Sequence, residues 1–171
     1  MATNNSANTY IVPTANNEVT QPSQPAFLAV LNGAWANATG DGTALSPMTI
    51  DLEIFDQNAD FDTGTYQFTA PVTGVYEITN SVGISNAAGH TVWLLAVITS
   101  NRQYYSIYTD DVNNFLNTSN NTTYENGVFA DMDAADTAHI YCRVNGGAKT
   151  VGISRGDLTD CTTHFSGVLV C

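Results

Sequence analysis

Phe61-Asp-Thr-Gly-Thr-Tyr-Gln-Phe-Thr-Ala-Pro-Val-Thr-Gly-Val-Tyr-Glu-Ile-Thr79 reads as two strands and the turn between them. Thr65 to Thr69 is short, β-branched and aromatic, which suits a pleated ladder. Pro71 stops it, because proline has no N–H to give a sheet. Gly74 then supplies a permissive backbone. From Gly74 to Ile84 the chain alternates, with Val75, Glu77 and Thr79 on one face. That period of two marks a strand with one buried face. The closing residues, His164-Phe-Ser-Gly-Val-Leu-Val-Cys171, read as a strand as well.

Strand signals extend outward from this pair. Pro25 to Leu31 is apolar and ends at Asn32-Gly33. Met48 to Phe55 alternates apolar and polar. Thr91 to Thr99 is nearly continuous apolar, so both of its faces are expected to be covered. Arg102 to Tyr108 is a tyrosine-rich strand, and an Asn-rich loop follows from Asp110 to Asn121. Thr122 to Ala130 and Thr137 to Asn145 are expected to pair around the turn Asp131-Met-Asp-Ala-Ala-Asp136. Asn145-Gly146-Gly147 is expected to be a hairpin turn, because Asn and Gly tolerate positive φ. Thr150 to Ser154 is the last strand before the closing one. Many short strands and no amphipathic helix predict a β-sandwich. The pattern alone does not separate a jelly roll from an immunoglobulin-like sandwich.

The 171 residues suit one domain, and 43% hydrophobic content makes it globular. Only 12% are charged, and the net charge is −12. Nucleic acid is thereby disfavoured as a partner, since phosphate neutralisation needs a basic patch. Direct attachment to an anionic glycan or lipid is disfavoured too, unless a divalent cation bridges. Cys142, Cys161 and Cys171 are odd in number, so no complete disulfide framework fits one chain. One bridge among the three stays open. Cys142 lies in a strand-like run and is expected to be a small buried hydrophobe.

Residues 1–24 are polar and irregular, with Pro13, Pro22 and a sticky Tyr10-Ile11-Val12. They read as an extended arm ahead of a domain spanning 25–171. The first ten residues lack the basic and apolar regions of a signal peptide. With Met1 as the natural start, the general export route is not expected. No glycine-every-third pattern, heptad repeat or membrane-length apolar run occurs.

The order of these pieces resembles the globular head of complement component 1q and its tumour-necrosis-factor-like relatives. The carriers are the Phe61 to Thr79 stretch, the acidic turn Asp133-Ala-Ala-Asp-Thr-Ala-His-Ile140, and Phe165-Ser-Gly-Val-Leu169. The likeness covers roughly 25–171. It implies an all-β, ten-stranded jelly roll assembled as a homotrimer, with aromatic side chains along the three-fold axis. Phe27, Phe55, Tyr76, Phe129 and Phe165 are the candidates for that axis. Other phrases are similar to β-modules at the ends of bacteriophage tail fibres and virion appendages. They are Glu53-Ile-Phe-Asp-Gln-Asn58, Ile98-Thr-Ser-Asn-Arg102, Ala130-Asp-Met-Asp-Ala-Ala-Asp-Thr137 and Phe165-Ser-Gly167.

Several short motifs carry possible chemistry. Gly152-Ile-Ser-Arg-Gly156 fits the nucleophile elbow of hydrolases, but no helix follows Ser154. His164, Asp157 and Asp160 lie within one loop of that serine, so an enzyme is not expected. Arg155-Gly156-Asp157 is the integrin tripeptide, and chance accounts for it. Asp56, Asn58, Asp60 and Asp62 space oxygens like the start of a calcium loop. Phe61 and Gln67 occupy positions where an EF-hand needs glycine and glutamate. Asp131, Asp133 and Asp136 form a second cluster, so Ca2+ is the one cofactor candidate, with a solvated turn as the plainer account of both. His90, His139 and His164 lack ligand spacing. Tyr104, Tyr105 and Tyr108 could stack on sugar rings or pack at an interface. Asn4, Asn37, Asn117, Asn120 and Asn121 lie in sequons that matter only in a secreted eukaryotic chain.

The expectation is therefore a non-enzymatic homotrimer on a virion surface, either a fibre or a capsid decoration protein. Its arm would hold a capsid or tail protein, and its loops would meet a host surface glycan. The alternative is a secreted, complement-like module that binds carbohydrate patterns.

Overall fold

The computed structural model describes residues 12–13, 19–21, 23–109 and 111–171. The expected arm, including Tyr10, lies mostly outside them. In chain order the strands are β1 (Val12–Pro13), β2 (Val19–Thr20), β3 (Ala26–Val30), β4 (Trp35–Thr39), β5 (Ala44–Leu45), β6 (Leu52–Asp56), β7 (Phe61–Asp62) and β8 (Gln67–Thr69). There follow β9 (Gly74–Ser85), β10 (Trp93–Thr99), β11 (Gln103–Thr109), β12 (Thr122–Met132), β13 (Thr137–Val144), β14 (Val151–Ile153) and β15 (His164–Leu169). One 3-10 turn, Val112–Phe115, interrupts them.

Two antiparallel sheets stack into a jelly-roll sandwich, and β1 pairs apart with β2. The six-stranded sheet runs β11-β10-β13-β8-β7, with β5 also on β13. The seven-stranded sheet runs β4-β14-β9-β15-β3-β6, with β12 on β9. β9 is its spine. It pairs with β12 from Gly74↔Met132 to Ile84↔Thr122 and with β15 from Tyr76↔Leu169 to Ser81↔His164.

Two expected hairpins are sheet crossings instead. β12 joins β9, whereas β13 joins β10, so the acidic turn carries the chain from one sheet to the other. Its backbone bonds go to neither strand: Ala135 N–H donates to Ala70 O, and Ala70 N–H donates to Asp136 O, both at 2.8 Å. Asn145-Gly146-Gly147 likewise leads from β13 to β14 in the opposite sheet. Gly146 holds φ at +92°, as a turn glycine can, but Gly147 N–H bonds Gly40 O at 3.1 Å. The Met48 to Phe55 run also crosses. Met48 N–H reaches Ile140 O in one sheet and Asp51 N–H reaches Val30 O in the other, so only Leu52 onward is laddered.

The core explains the diagnostic residues. Phe27 stacks on Phe61 and Phe68 at 5.0 and 4.9 Å and meets Phe165 edge-on at 5.1 Å. Full burial of each ring stabilises by about 1.5–3 kcal/mol. Gly167 lies opposite Phe27, and a Cβ there would come within 2.7 Å of that ring and 2.8 Å of Ile78. The Phe-Ser-Gly ending is thus a packing requirement: Phe165 fills the core, and Gly167 leaves room for Phe27. Tyr76 donates its hydroxyl to Val72 O at 2.7 Å, which pins the turn after Pro71. Cys142 is buried, Cys161 and Cys171 are exposed, and all three are free thiols. Among the described residues no helix is long and apolar enough to cross a membrane.

Candidate functional site

The outward face of the seven-stranded sheet exposes two large aromatic rings among polar neighbours. On β12, Ala130 and Met132 enter the core, while Phe129 points out and is 66% exposed. Register puts Phe129 opposite Glu77, Glu77 opposite Val168, and Val168 opposite Ala26. The next row contains Gly127, Thr79, Ser166, Leu28 and Phe55 in neighbouring strands. Phe55 is 49% exposed. A shallow concavity between these rows is lined by Ala26, Phe55, Glu77, Thr79, Ser166 and Val168. Thr79 and Ser166 hydroxyls bond each other across its floor. Of the five axis candidates, Phe27, Tyr76 and Phe165 belong to the protomer core, while Phe55 and Phe129 stand on this outer surface.

The outward face of the six-stranded sheet carries a different cluster. A bulge between Leu95 and Ala96 sets Ile107 opposite Leu95 and Tyr105 opposite Ala96, leaving Ser106 as the extra residue. Tyr105 and Tyr108 therefore share the outer face, although three residues apart. In a regular strand they would point oppositely. Their rings meet edge-to-face at 6.2 Å, and Tyr105 meets Tyr141 of β13 the same way at 6.5 Å. Tyr104 turns the other way, packs on the core and reaches Asp131 with its hydroxyl at 3.4 Å. Tyr141 and Arg143 were not singled out in the sequence, yet alternation along β13 puts both outward beside His139. His139 Nε2 lies 3.1 Å from Ser46 Oγ, and burial lowers the imidazole's pKa.

Both acidic clusters are turns folded onto themselves. Asp56 accepts from the N–H groups of Asp60 (3.2 Å) and Phe61 (2.8 Å). Asp62 accepts from Gly64 N–H at 2.7 Å and the Thr65 hydroxyl at 3.0 Å, and these donors hold its carboxyl below the usual range. Asn58 donates to Ser23 O at 3.3 Å. Burial, then the charge of Asp56, raises the pKa of Asp60, whose Oδ2 is buried without a partner. In the second turn Asp131 pairs with Arg102, which lowers the carboxyl's pKa and raises the guanidinium's. Asp133 accepts from the Thr73 hydroxyl at 3.3 Å. Asp136 accepts from Asp133 N–H at 2.8 Å and from the Asn101 amide at 2.6 Å. Among the described residues no three His, Cys, Asp or Glu side chains converge on a point that suits a metal.

Ser154 follows β14 and enters a loop, with no helix behind it. His164 Nδ1 faces Cys161 O at 2.7 Å, and Asp160 accepts from the Thr162 hydroxyl at 2.7 Å. Arg155 bridges to Asp157 at 3.3 Å, and Asp157 also accepts from Thr159 and Asp160. The integrin tripeptide is therefore closed on itself, with its glycine buried.

No family model and no curated protein sequence matches the chain. Solved structures do. The globular domain of zebrafish complement 1qA protein superposes with a TM-score of 0.58 at 20% identity, over 87% of this chain and 98% of that one. Murine APRIL at pH 8.0 superposes with a TM-score of 0.54 at 10% identity, over 86% of this chain and 100% of that one. At such identities the likeness is one of architecture. The chain has the jelly-roll fold shared by complement component 1q and the tumour-necrosis-factor-like proteins.

Proposed function

We propose that this protein is a non-enzymatic homotrimeric module on the surface of a virion, in a fibre or as a capsid decoration. The observation that carries the trimer is the set of solvent-facing apolar side chains, Phe129 and Val168 flanking Glu77 and Phe55 in the adjoining row, on the outward face of the seven-stranded sheet. An apolar patch of this kind on a protomer marks an association surface. Closed three-fold symmetry would cover it in every copy at once. The fold supports the same assembly, and the fibre-like phrases of the sequence support the virion setting. Residues 1–24 would then anchor the trimer to a capsid or tail protein, and exposed surfaces of the domain would meet the host.

Light-scattering mass in solution tests the assembly. A mass of three chains is expected, and a stable single chain would overturn it. Mass spectrometry of purified particles tests the setting. A protein missing from every particle, but active on a glycan array only when calcium is present, would favour the secreted pattern-binding module instead.

A further inference from the structure

We infer that the outward face of the six-stranded sheet is a saccharide site, in which Tyr105, Tyr108 and Tyr141 receive a pyranose ring and Arg143 receives its carboxylate. This deepens the host-contact reading above and rests on it.

The three rings form a corner. Both contacts of Tyr105 are edge-to-face, at 76° to Tyr108 and 74° to Tyr141. In each edge-to-face contact one ring's edge occupies a single face of its partner, so Tyr108 and Tyr141, with one such contact each, keep at least one ring face open. An aromatic face is electron-rich and attracts the polarised C–H groups of a sugar. Tyrosine also gives large, stiff contact area at little entropic cost. The corner has a built floor. Leu94 is 5% exposed and Ala96 0%, although both point out of the core cluster. The side chains above them keep water off that floor. Tyr105 is held from its far end, where its hydroxyl donates to Gln103 Oε1 at 3.1 Å.

The cation sets the ligand class. The chain has only four Lys and Arg residues against sixteen acids. Arg102 pairs with Asp131 and Arg155 with Asp157, while the charge of Lys149 acts on Asp41. Arg143 meets no carboxylate among the described residues, and its Nε is buried without an acceptor. A buried donor without an acceptor loses the hydrogen bonds that water gave it. Register places Arg143 opposite Leu94, and Leu94 opposite Tyr108. Two strand spacings span about 10 Å, enough for a sugar ring and one substituent. A guanidinium matches a carboxylate with two parallel N–H donors.

The net charge of −12 narrows the class further. A polyanion is repelled along its whole length. A single carboxylate seated on one guanidinium is not, because salt at about 0.15 M screens charges beyond about 8 Å. The ligand is therefore a terminal carboxylated pyranose and not a polysulfated chain.

Titration of the full chain with methyl β-glucuronide and with methyl β-glucoside, followed by tyrosine ring resonances, tests the site. The glucuronide is expected to bind at least ten-fold tighter. Arg143→Gln should abolish that preference, and Arg143→Lys should restore part of it. Tyr108→Ala, at a position 74% exposed, should weaken both sugars at least ten-fold with an unchanged unfolding midpoint. Equal affinity for the two sugars would overturn the carboxylate assignment. No binding, or binding indifferent to Tyr108→Ala, would overturn the site. Mass is read on the same samples. A monomer that binds the glucuronide refutes the trimer alone, whereas a mass change in Tyr108→Ala makes the patch a protomer contact and refutes the site.

Discussion

Phe129 on β12 lies directly across from Glu77 on β9, on the solvent side of the sheet. The pair sets an exposed aromatic ring beside a carboxylate at the centre of the proposed protomer contact. Phe129→Thr removes the ring but keeps a β-branched residue that suits a strand. It adds no charge beside Glu77. The isolated protomer should keep its stability within about 0.5 kcal/mol, as exposed substitutions usually do. The assembly loses one ring per copy, each contributing about 1.5–3 kcal/mol when buried. Light-scattering mass is expected to fall from three chains to one, with the far-ultraviolet circular dichroism of a β-sandwich retained. An unchanged mass would place the contact elsewhere.

Gly167 and Phe27 make a complementary prediction about the protomer. Gly167→Ala pushes a methyl group into the Phe27 ring and Ile78, at 2.7 and 2.8 Å. Such overpacking costs about 1–3 kcal/mol. Phe27→Ala opens a cavity among Phe61, Phe68 and Phe165 and should cost about 3–5 kcal/mol. The two sites touch, so their effects should not add. In the double variant the alanine of position 167 no longer meets a ring, and urea midpoints should show it more stable than the sum of the singles predicts.

Much of this fold is legible in local chemistry. Pro71, Gly74 and Tyr76 mark a turn and the spine strand, and Phe165-Ser-Gly167 encodes the packing against Phe27. Alternation says which side chains go inward, but not which strand lies beside which. That is why β12 and β13, adjacent in sequence, read as a hairpin while they lie in opposite sheets. The tyrosine corner was only half visible for a related reason. Period two pairs Tyr104 with Tyr108 and sends Tyr105 the other way. The bulge at Ser106 reverses this, and nothing in that polar, β-prone run announces a bulge. Tyr141 and Arg143 belong to the corner only through the pairing of β13 with β10, which is a long-range fact. The aspartates carry two readings at once. Their spacing suits a cation, but short carboxylates also bond backbone N–H groups two or three residues on.

Cys142 separates from the other cysteines by burial. Its thiol is pushed up to about 12, chiefly by desolvation. The thiolate is the reactive form, so Cys142 should resist iodoacetamide at pH 8. Cys161 and Cys171 are exposed. Intact mass is expected to show two adducts per chain in native buffer and three in denaturant. A third native adduct at Cys142 would mean that the β10–β13 side of the core opens readily.

His139 gives the pH dependence a sign. Burial depresses its pKa in the folded chain, and Nδ1 lies buried with no acceptor. Unfolded, the imidazole titrates at about 6.5. Below that value the unfolded chain binds more protons than the folded one, so stability falls as pH drops. The loss begins near the unfolded value and levels off below the depressed folded one. The carboxylates of Asp41, Asp62, Asp131 and Asp157 are held low by hydrogen-bond donors, and their contribution is lost only at more acid pH. The raised carboxyl of Asp60 acts in the opposite sense but alike in parent and variant, so the difference between the parent and His139→Gln from pH 7.5 to pH 5.5 isolates the His139 part. The urea midpoint should drop across that interval, and His139→Gln should drop less. Gln keeps a polar group that can reach Ser46 but cannot take the proton. Equal drops in the two proteins would show that His139 carries no proton linkage.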